Sequence, residues 1–538
     1  MKKAFTSRGA FQRKVAGLAA ALLVAGLAGT TGSLADSGNL KSLKRAIVPL
    51  PANLGDFVAD RATAIRLGKA LYWEQQAGGD GGQACATCHF QAGADVRSRN
   101  TLNPGANGVF DTAPADAQLV STQFPIRNGD VVGSQGLIKL SFVSLSGGAA
   151  DSCTVVPDPV FNFQGMNVRQ VTGRNTPFNV NAIFNFRSFW DGRANNTFNG
   201  VNPGGPNPAA TVLKVIGGVP TPVTVALANA SLASQAVGPP NNGVEMACGA
   251  PGRSFPQLGR KLLALTPLGL QVVHPSDGVL GGLSLSPGPG LNTSYAALIQ
   301  AAFKPEWWTE GATGNGFTVK ENNFSLYWGL SVMLYESALV SDDTRVDRFL
   351  DGNRAALNAQ EQLGMNVFTG KGRCTECHKN AELTLATVSA ATENGVANPL
   401  KGFFNTAVRP IADDGGDILQ GNGFFKTPGI RNSELNGPYF HNGEAATLRQ
   451  VVEFYNRGGD FRSAFTNGKI RPLGLTEAEK NALVAFMVAL TDDRVRFEKT
   501  PFDHPSLNVP NGPNLAAVGA AGRATPMPPF LGISPFAQ

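Results

Sequence analysis

Histidine is scarce in this chain: five in 538 residues, alongside seven methionines, six tyrosines, five tryptophans and six cysteines. Each shortage excludes something. Six cysteines in so long a chain rule out a disulfide-dense scaffold. Charged residues make up only 16% of the chain and no clustered basic face is present, so a nucleic-acid partner is excluded. Beyond the first 28 residues no apolar run approaches the roughly 20 residues that cross a bilayer. What is plentiful is glycine (64) and proline (35), against 42% apolar residues, a balance that predicts long ordered loops rather than disorder.

Residues 1–35 read as a signal peptide. Lys2, Lys3, Arg8, Arg13 and Lys14 precede the apolar run from Val15 to Ala28, and Ser33-Leu34-Ala35 offers the small residues that a signal peptidase reads. The alternative is an uncleaved anchor, for which the run is short. Removing the leader takes away five basic and no acidic residues, leaving 40 basic against 39 acidic, so the formal +6 falls to +1. The reading is an exported protein, periplasmic, secreted or at the cell surface, with no transmembrane segment after cleavage.

Four of the six cysteines lie in two C-x-x-C-H motifs, Cys85-Ala86-Thr87-Cys88-His89 and Cys374-Thr375-Glu376-Cys377-His378. The spacing suits covalent haem attachment: two thiols add to the haem vinyl groups and the adjacent histidine ligates iron. A zinc ribbon would place its pairs about 15–20 residues apart, whereas these begin 289 residues apart. A thioredoxin-like pair needs a βαβ setting, which neither motif has. Two haem c groups are the cofactors this predicts. Cys153 and Cys248 remain, either as a disulfide, which an oxidising compartment favours, or as two unpaired thiols.

The segments before the motifs resemble each other. Ala64-Ile65-Arg66-Leu67-Gly68-Lys69-Ala70-Leu71-Tyr72 and Gln360-Glu361-Gln362-Leu363-Gly364-Met365-Asn366-Val367-Phe368 both run at helical spacing. One cytochrome unit used twice is the reading, and the fold class is all-α: two cytochrome c-like domains with long loops. Thr476 with Glu479 forms a capping box that opens a helix to Asp492, and another amphipathic helix spans about 324–340. The expected domains are 36–340, with insertions at about 195–230 and 250–320, then 341–500, then a Pro-rich tail at 501–538 lying on the surface.

Whether either iron is open turns on the remaining histidines: His274, His441 and His504. The 184 residues after His89 contain none, so a haem in the first unit lacks a local histidine for its distal side. Here a resemblance becomes specific. Arg174-Asn175-Thr176-Pro177, Phe189-Trp190-Asp191-Gly192-Arg193-Ala194, Gln235-Ala236-Val237-Gly238-Pro239 and Gly243-Val244-Glu245-Met246 are similar to blocks of the bacterial dihaem cytochrome c peroxidase and MauG superfamily. So are Thr427-Pro428-Gly429-Ile430-Arg431-Asn432, Pro438-Tyr439-Phe440-His441-Asn442-Gly443 and Val451-Val452-Glu453-Phe454-Tyr455.

The resemblance implies that the first haem reduces peroxide and the second relays electrons. It makes His89 the proximal ligand of the peroxidatic iron, Glu245 the distal acid/base carboxylate, and Gln235 and Pro239 its neighbours in that pocket. Trp190 then lies between the haems, and His441 belongs to the second haem's surroundings. A calcium ion between the haems would take Asn175 by its side chain and Asn436 and Pro438 by their carbonyls. Ordinary members place a methionine as sixth ligand opposite His378; the MauG-like branch has tyrosine, which matches Tyr455. A tyrosinate ligand would let the second haem store oxidising equivalents.

The expected function is peroxide reduction with electrons from a small redox protein. Alternatives are a MauG-like oxidase of Trp or Tyr residues in a partner protein, and a non-catalytic electron-transfer cytochrome with both haems closed. A homodimer is possible on this reading.

Overall fold

The computed structural model describes residues 40–538 except 415 and 418; the leader expected at 1–35 lies outside them. The first long helix, Arg61–Trp73, starts at Asp60, whose carboxylate accepts from the Thr63 amide at 2.6 Å. Its buried face, Ala64, Leu67 and Leu71, packs on Phe324–Glu336, a helix buried on every side. Gly68 is what lets the two backbones meet: a Cβ there would lie 1.8 Å from the Ser331 carbonyl oxygen. The arrangement recurs around the second motif. Ala359–Thr369, capped by Asn358, packs on Glu477–Ala489, capped by the Thr476–Glu479 box, and a Cβ on Gly364 would lie 1.9 Å from the Ala482 oxygen. The Leu-Gly pair before each motif is thus a contact code for one helix crossing used twice.

The all-α expectation needs correction. Alongside the helices the described residues contain seven two-stranded antiparallel ladders. The longest are Leu140–Leu145 with Asp151–Val155, and Val212–Ile216 with Val219–Val223. The second lies in the insertion expected at about 195–230. Its turn is Gly217-Gly218, with φ of 58° and 84°, the two-residue turn whose left-handed backbone suits a hairpin and favours glycine. The β-branched residues flanking that Gly-Gly were the available signal.

A second repeat joins the halves. Residues 176–194 and 427–445 align without a gap at an offset of 251, with seven identities among 19 positions. The structure carries the same offset. Asn181 and Asn432 are both left-handed (φ 65° and 60°), as are Phe189 and Phe440 (64° and 70°), and the bridge Ser188–Ala194 matches Tyr439–Ala445. Trp190 in one copy corresponds to His441 in the other, and the two rings meet with centroids 6.2 Å apart.

The tail from 501 onward threads both halves. His504 stacks on Trp73 at 4.9 Å, the Thr447 hydroxyl bonds the Ala537 carbonyl, and Leu507, Val509, Met527 and Phe530 are buried. Asp503 completes a fully buried cluster with Lys69 (3.2 Å) and Asp277, tying tail, first helix and insertion together. Removing either acid would leave a buried ammonium less compensated. No helix among the described residues is long and apolar enough to cross a membrane.

Candidate functional site

Each C-x-x-C-H motif opens onto a cavity. The first, about 410 Å³, is lined by Cys88 and His89 together with Gln235, Pro239, Glu245 and Trp190, and Cys85 faces an adjoining pocket with Glu245. The second, about 200 Å³, is lined by Cys374, Cys377, His378, Tyr455 and His441. All four motif cysteines are free of disulfides. His89 Nδ1 donates to the Gly93 carbonyl at 2.9 Å, and His378 Nδ1 to the Leu383 carbonyl at 3.1 Å. A carbonyl can only accept, so the proton sits on Nδ1 and Nε2 is the free ligating atom in each ring. Burial lowers both imidazole pKa values, keeping them neutral. Two free thiols beside a neutral, oriented imidazole, in a largely apolar cavity, are the donor set a haem c requires.

Neither His274 nor His504 lines either large cavity. His274 Nδ1 accepts from the Ser276 amide, and His504 is stacked on Trp73. Among the described residues the first cavity therefore has no histidine besides His89.

Glu245 is held by its backbone rather than its carboxylate. Asn242 Oδ1 accepts from the amides of Val244 (2.9 Å) and Glu245 (3.1 Å). The Val244 carbonyl accepts from Leu137 and the Met246 carbonyl from Gly79 (2.7 Å). Three residues on, Cys248 is disulfide-bonded to Cys153 in the first hairpin, which answers the question the sequence left open. The carboxylate itself has no hydrogen-bond partner among the described residues. Burial pushes its pKa above the usual carboxylate value, and the Arg193 guanidinium partly opposes this.

Trp190 lines both cavities, and its Nε1–H donates to the Asn175 carbonyl at 2.8 Å. Asn175 turns its side-chain amide onto the carbonyls of Pro438 (2.5 Å) and Phe440 (3.2 Å). With the amide turned the other way, three oxygens would converge there, the chemistry calcium takes. Of these two carbonyls, that of Pro438 was expected near Asn175 from the sequence and that of Phe440 was not. Asn436 lies in the second cavity's wall with both amide atoms unpartnered.

Besides the motif residues, His441, Tyr455 and Met487 line the second cavity and carry atoms that could ligate iron. His441 is committed elsewhere: Nε2 contacts the Asp414 carboxylate and the ring stacks on Phe425 at 3.7 Å. Tyr455, on the helix Leu448–Arg457, packs its ring on Phe454 and Phe440, and its hydroxyl has no hydrogen-bond partner among the described residues. Met487 also lines this cavity. Burial raises the Tyr455 phenol; a cation at the oxygen would reverse that shift.

The sequence profile of the di-haem cytochrome c peroxidases (CCP_MauG) matches residues 62–355, more than half of the chain. The chain belongs to this family. Membership implies two c-type haems, in agreement with the two donor sets. Among relatives, cytochrome-c peroxidase IdrP2 of Denitromonas iodatirespirans is 35% identical over 181 residues, 30% of this chain and 47% of that protein. Cytochrome c551 peroxidase of Nitrosomonas europaea is 35% identical over 179 residues, 33% and 48%. Methylamine utilization protein MauG of Methylorubrum extorquens is 27% identical over 183 residues, 33% and 47%. The chain thus spans about half the length of these curated relatives. Among solved structures, a MauG-like protein associated with microbial copper homeostasis aligns with TM-score 0.49 and 18% identity, over 85% of this chain and 96% of that one. The diheme peroxidase BthA of Burkholderia thailandensis aligns with TM-score 0.44 and 19% identity, over 90% and 97%.

Proposed function

We propose that the chain is an exported dihaem peroxidase that reduces hydrogen peroxide at the His89 haem and draws electrons through the His378 haem. The observation that carries the reading is the company Glu245 keeps: a carboxylate with no protein partner shares one cavity with His89, Gln235 and Pro239, and no second histidine closes it. When bound, haem supplies an iron that takes an oxygen of peroxide and exchanges electrons with it. The chain's own groups do the rest. Glu245 accepts the proton of the peroxide oxygen that binds and returns it to the outer oxygen as the O–O bond breaks, so one carboxylate serves two proton steps. Two electrons and two protons convert each peroxide to two waters. Gln235 and Pro239 shape the space above His89, and Trp190 offers an indole in the wall common to both cavities.

On the same reading Tyr455 would ligate the second haem's iron, and Asn175, Asn436 and Pro438 would hold calcium, with the Phe440 carbonyl beside the Asn175 side chain. The halves divide at about residue 340, with 36–340 peroxidatic and 341–500 the relay. A second reading, oxidation of Trp or Tyr in a partner protein, is favoured by Tyr455 alone, since an anionic oxygen ligand stabilises oxidised iron. Steady-state peroxide turnover separates the two. Consumption of peroxide with a small redox protein or dye as donor supports the peroxidase; failure with every donor, while peroxide still oxidises added protein, supports the second reading.

A further inference from the structure

Four lysines are buried beyond nine-tenths among the described residues, and three have carboxylate partners. Lys69 pairs with Asp277 and Asp503, Lys261 with Asp151, and Lys480 with Glu453. Lys426 has none. Its side chain lines both haem cavities, yet no hydrogen bond or ion pair to Nζ exists among the described residues, and burial alone acts on it, lowering its pKa to about 8. Of the acidic groups that share a cavity wall with it, Asp191 pairs with Arg193 at 2.7 Å and Glu336 with Asn179 at 3.1 Å, while Glu245, which has no partner of its own, makes no ion pair with Lys426. A buried ammonium without an anion is strongly unfavourable, so the position calls for an anion from outside the chain.

The internal repeat shows how Lys426 is set between the two cavities. At the offset of 251, Lys426 occupies the place of Asn175. The two are stitched across the repeat in the same manner: the Asn175 amide donates to the His441 carbonyl and the Lys426 amide to the Trp190 carbonyl, each at 2.8 Å. Asn175 directs its side chain to protein carbonyls, whereas Lys426 directs its own into the space shared by the two cavities. The anionic groups that a haem c carries are its propionates, and both cavities that Lys426 lines carry a haem c donor set.

We infer that Lys426 is an anion-binding residue common to both haem sites, its ammonium paired with a propionate carboxylate from each haem. The inference rests on the two-haem reading and goes beyond it. One positive charge held against both haems favours the ferrous form of each, so it sets the two reduction potentials together.

The test uses the full-length, haem-loaded protein. Haem content is measured first, and a wild-type content below two haems would count against the two-haem reading itself. Spectroelectrochemical titration then compares wild type, K426M, K426Q and K426R. Both haems of K426M should become at least tenfold harder to reduce, a shift of about 59 mV each for one electron. K426Q should follow K426M if the latter loads poorly, and K426R should restore both values. Unchanged potentials in a fully loaded K426M or K426Q would overturn the inference, as would a shift at one haem only. In the wild-type protein, redox infrared difference spectra should show ion-paired propionate bands at both haems; bands of protonated or free carboxylates at both would equally overturn it.

Discussion

Replacing Glu245 by glutamine probes the first cavity with the least disturbance. The backbone of the Glu245 segment is fixed by the Asn242 side chain, by Leu137 and Gly79, and by the nearby Cys153–Cys248 bond, none of which uses the carboxylate. The amide has the same shape, so the loss should be confined to proton transfer. A positioned acid/base group is worth about 10²–10⁴ in rate, which corresponds to roughly 3–5 kcal/mol of barrier. We expect kcat/KM for hydrogen peroxide to fall by that factor in E245Q, measured by stopped-flow mixing of the diferric protein with peroxide, while cyanide still binds the first haem. The pH profile carries an independent signature. Burial raises the Glu245 pKa, so the base form is lost on acidification at a pH above the usual carboxylate value. Arg193 pulls the other way, so R193Q should move the acid limb upward. An E245Q protein within threefold of wild type, or an acid limb unmoved by R193Q, would refute this assignment.

Three further outcomes follow from the packing and the second cavity. G68A should lower stability by about 1–3 kcal/mol, the usual cost of overpacking, because its Cβ would lie 1.8 Å from the Ser331 oxygen; thermal unfolding reads this as a lower Tm, with G364A a parallel case at Ala482. C153S with C248S opens a loop of 95 residues; the loop-closure relation puts the loss near 4–5 kcal/mol, seen as a reduced denaturant midpoint and faster amide exchange around Glu245. Y455F should raise the potential of the second haem and abolish the phenolate-to-iron band in its spectrum, whereas M487L should leave both unchanged; the reverse pattern would make Met487 the ligand.

Much of the site could be read in the sequence because its chemistry is carried by short contiguous blocks. Cys85 to His89 and Cys374 to His378 fix the attachment points, and the scarcity of histidine isolates His89 in the first cavity. The Leu-Gly pairs at 67–68 and 363–364 were visible as repeats, but their reason lies in helices far along the chain, Phe324–Glu336 and Glu477–Ala489. The hairpin at Val212–Val223 was missed through its surroundings: a Pro- and Gly-rich composition hid a two-residue Gly-Gly turn. The repeat at an offset of 251 is present in the sequence, but its seven identities are scattered over 19 positions. Nothing local in the sequence distinguishes Lys426 as a lysine that lacks a partner; that property exists only after folding brings Trp190 and both cavities together.

The central claim is that the two haem sites are unequal, one open above His89 and one closed beside Tyr455. Cyanide titration of the fully loaded diferric protein, followed by electron paramagnetic resonance, tests it most directly. The account predicts one equivalent bound, converting only the haem attached through Cys85 and Cys88 to the low-spin adduct, with the second haem's signal unchanged. Two equivalents bound, or none, would contradict it.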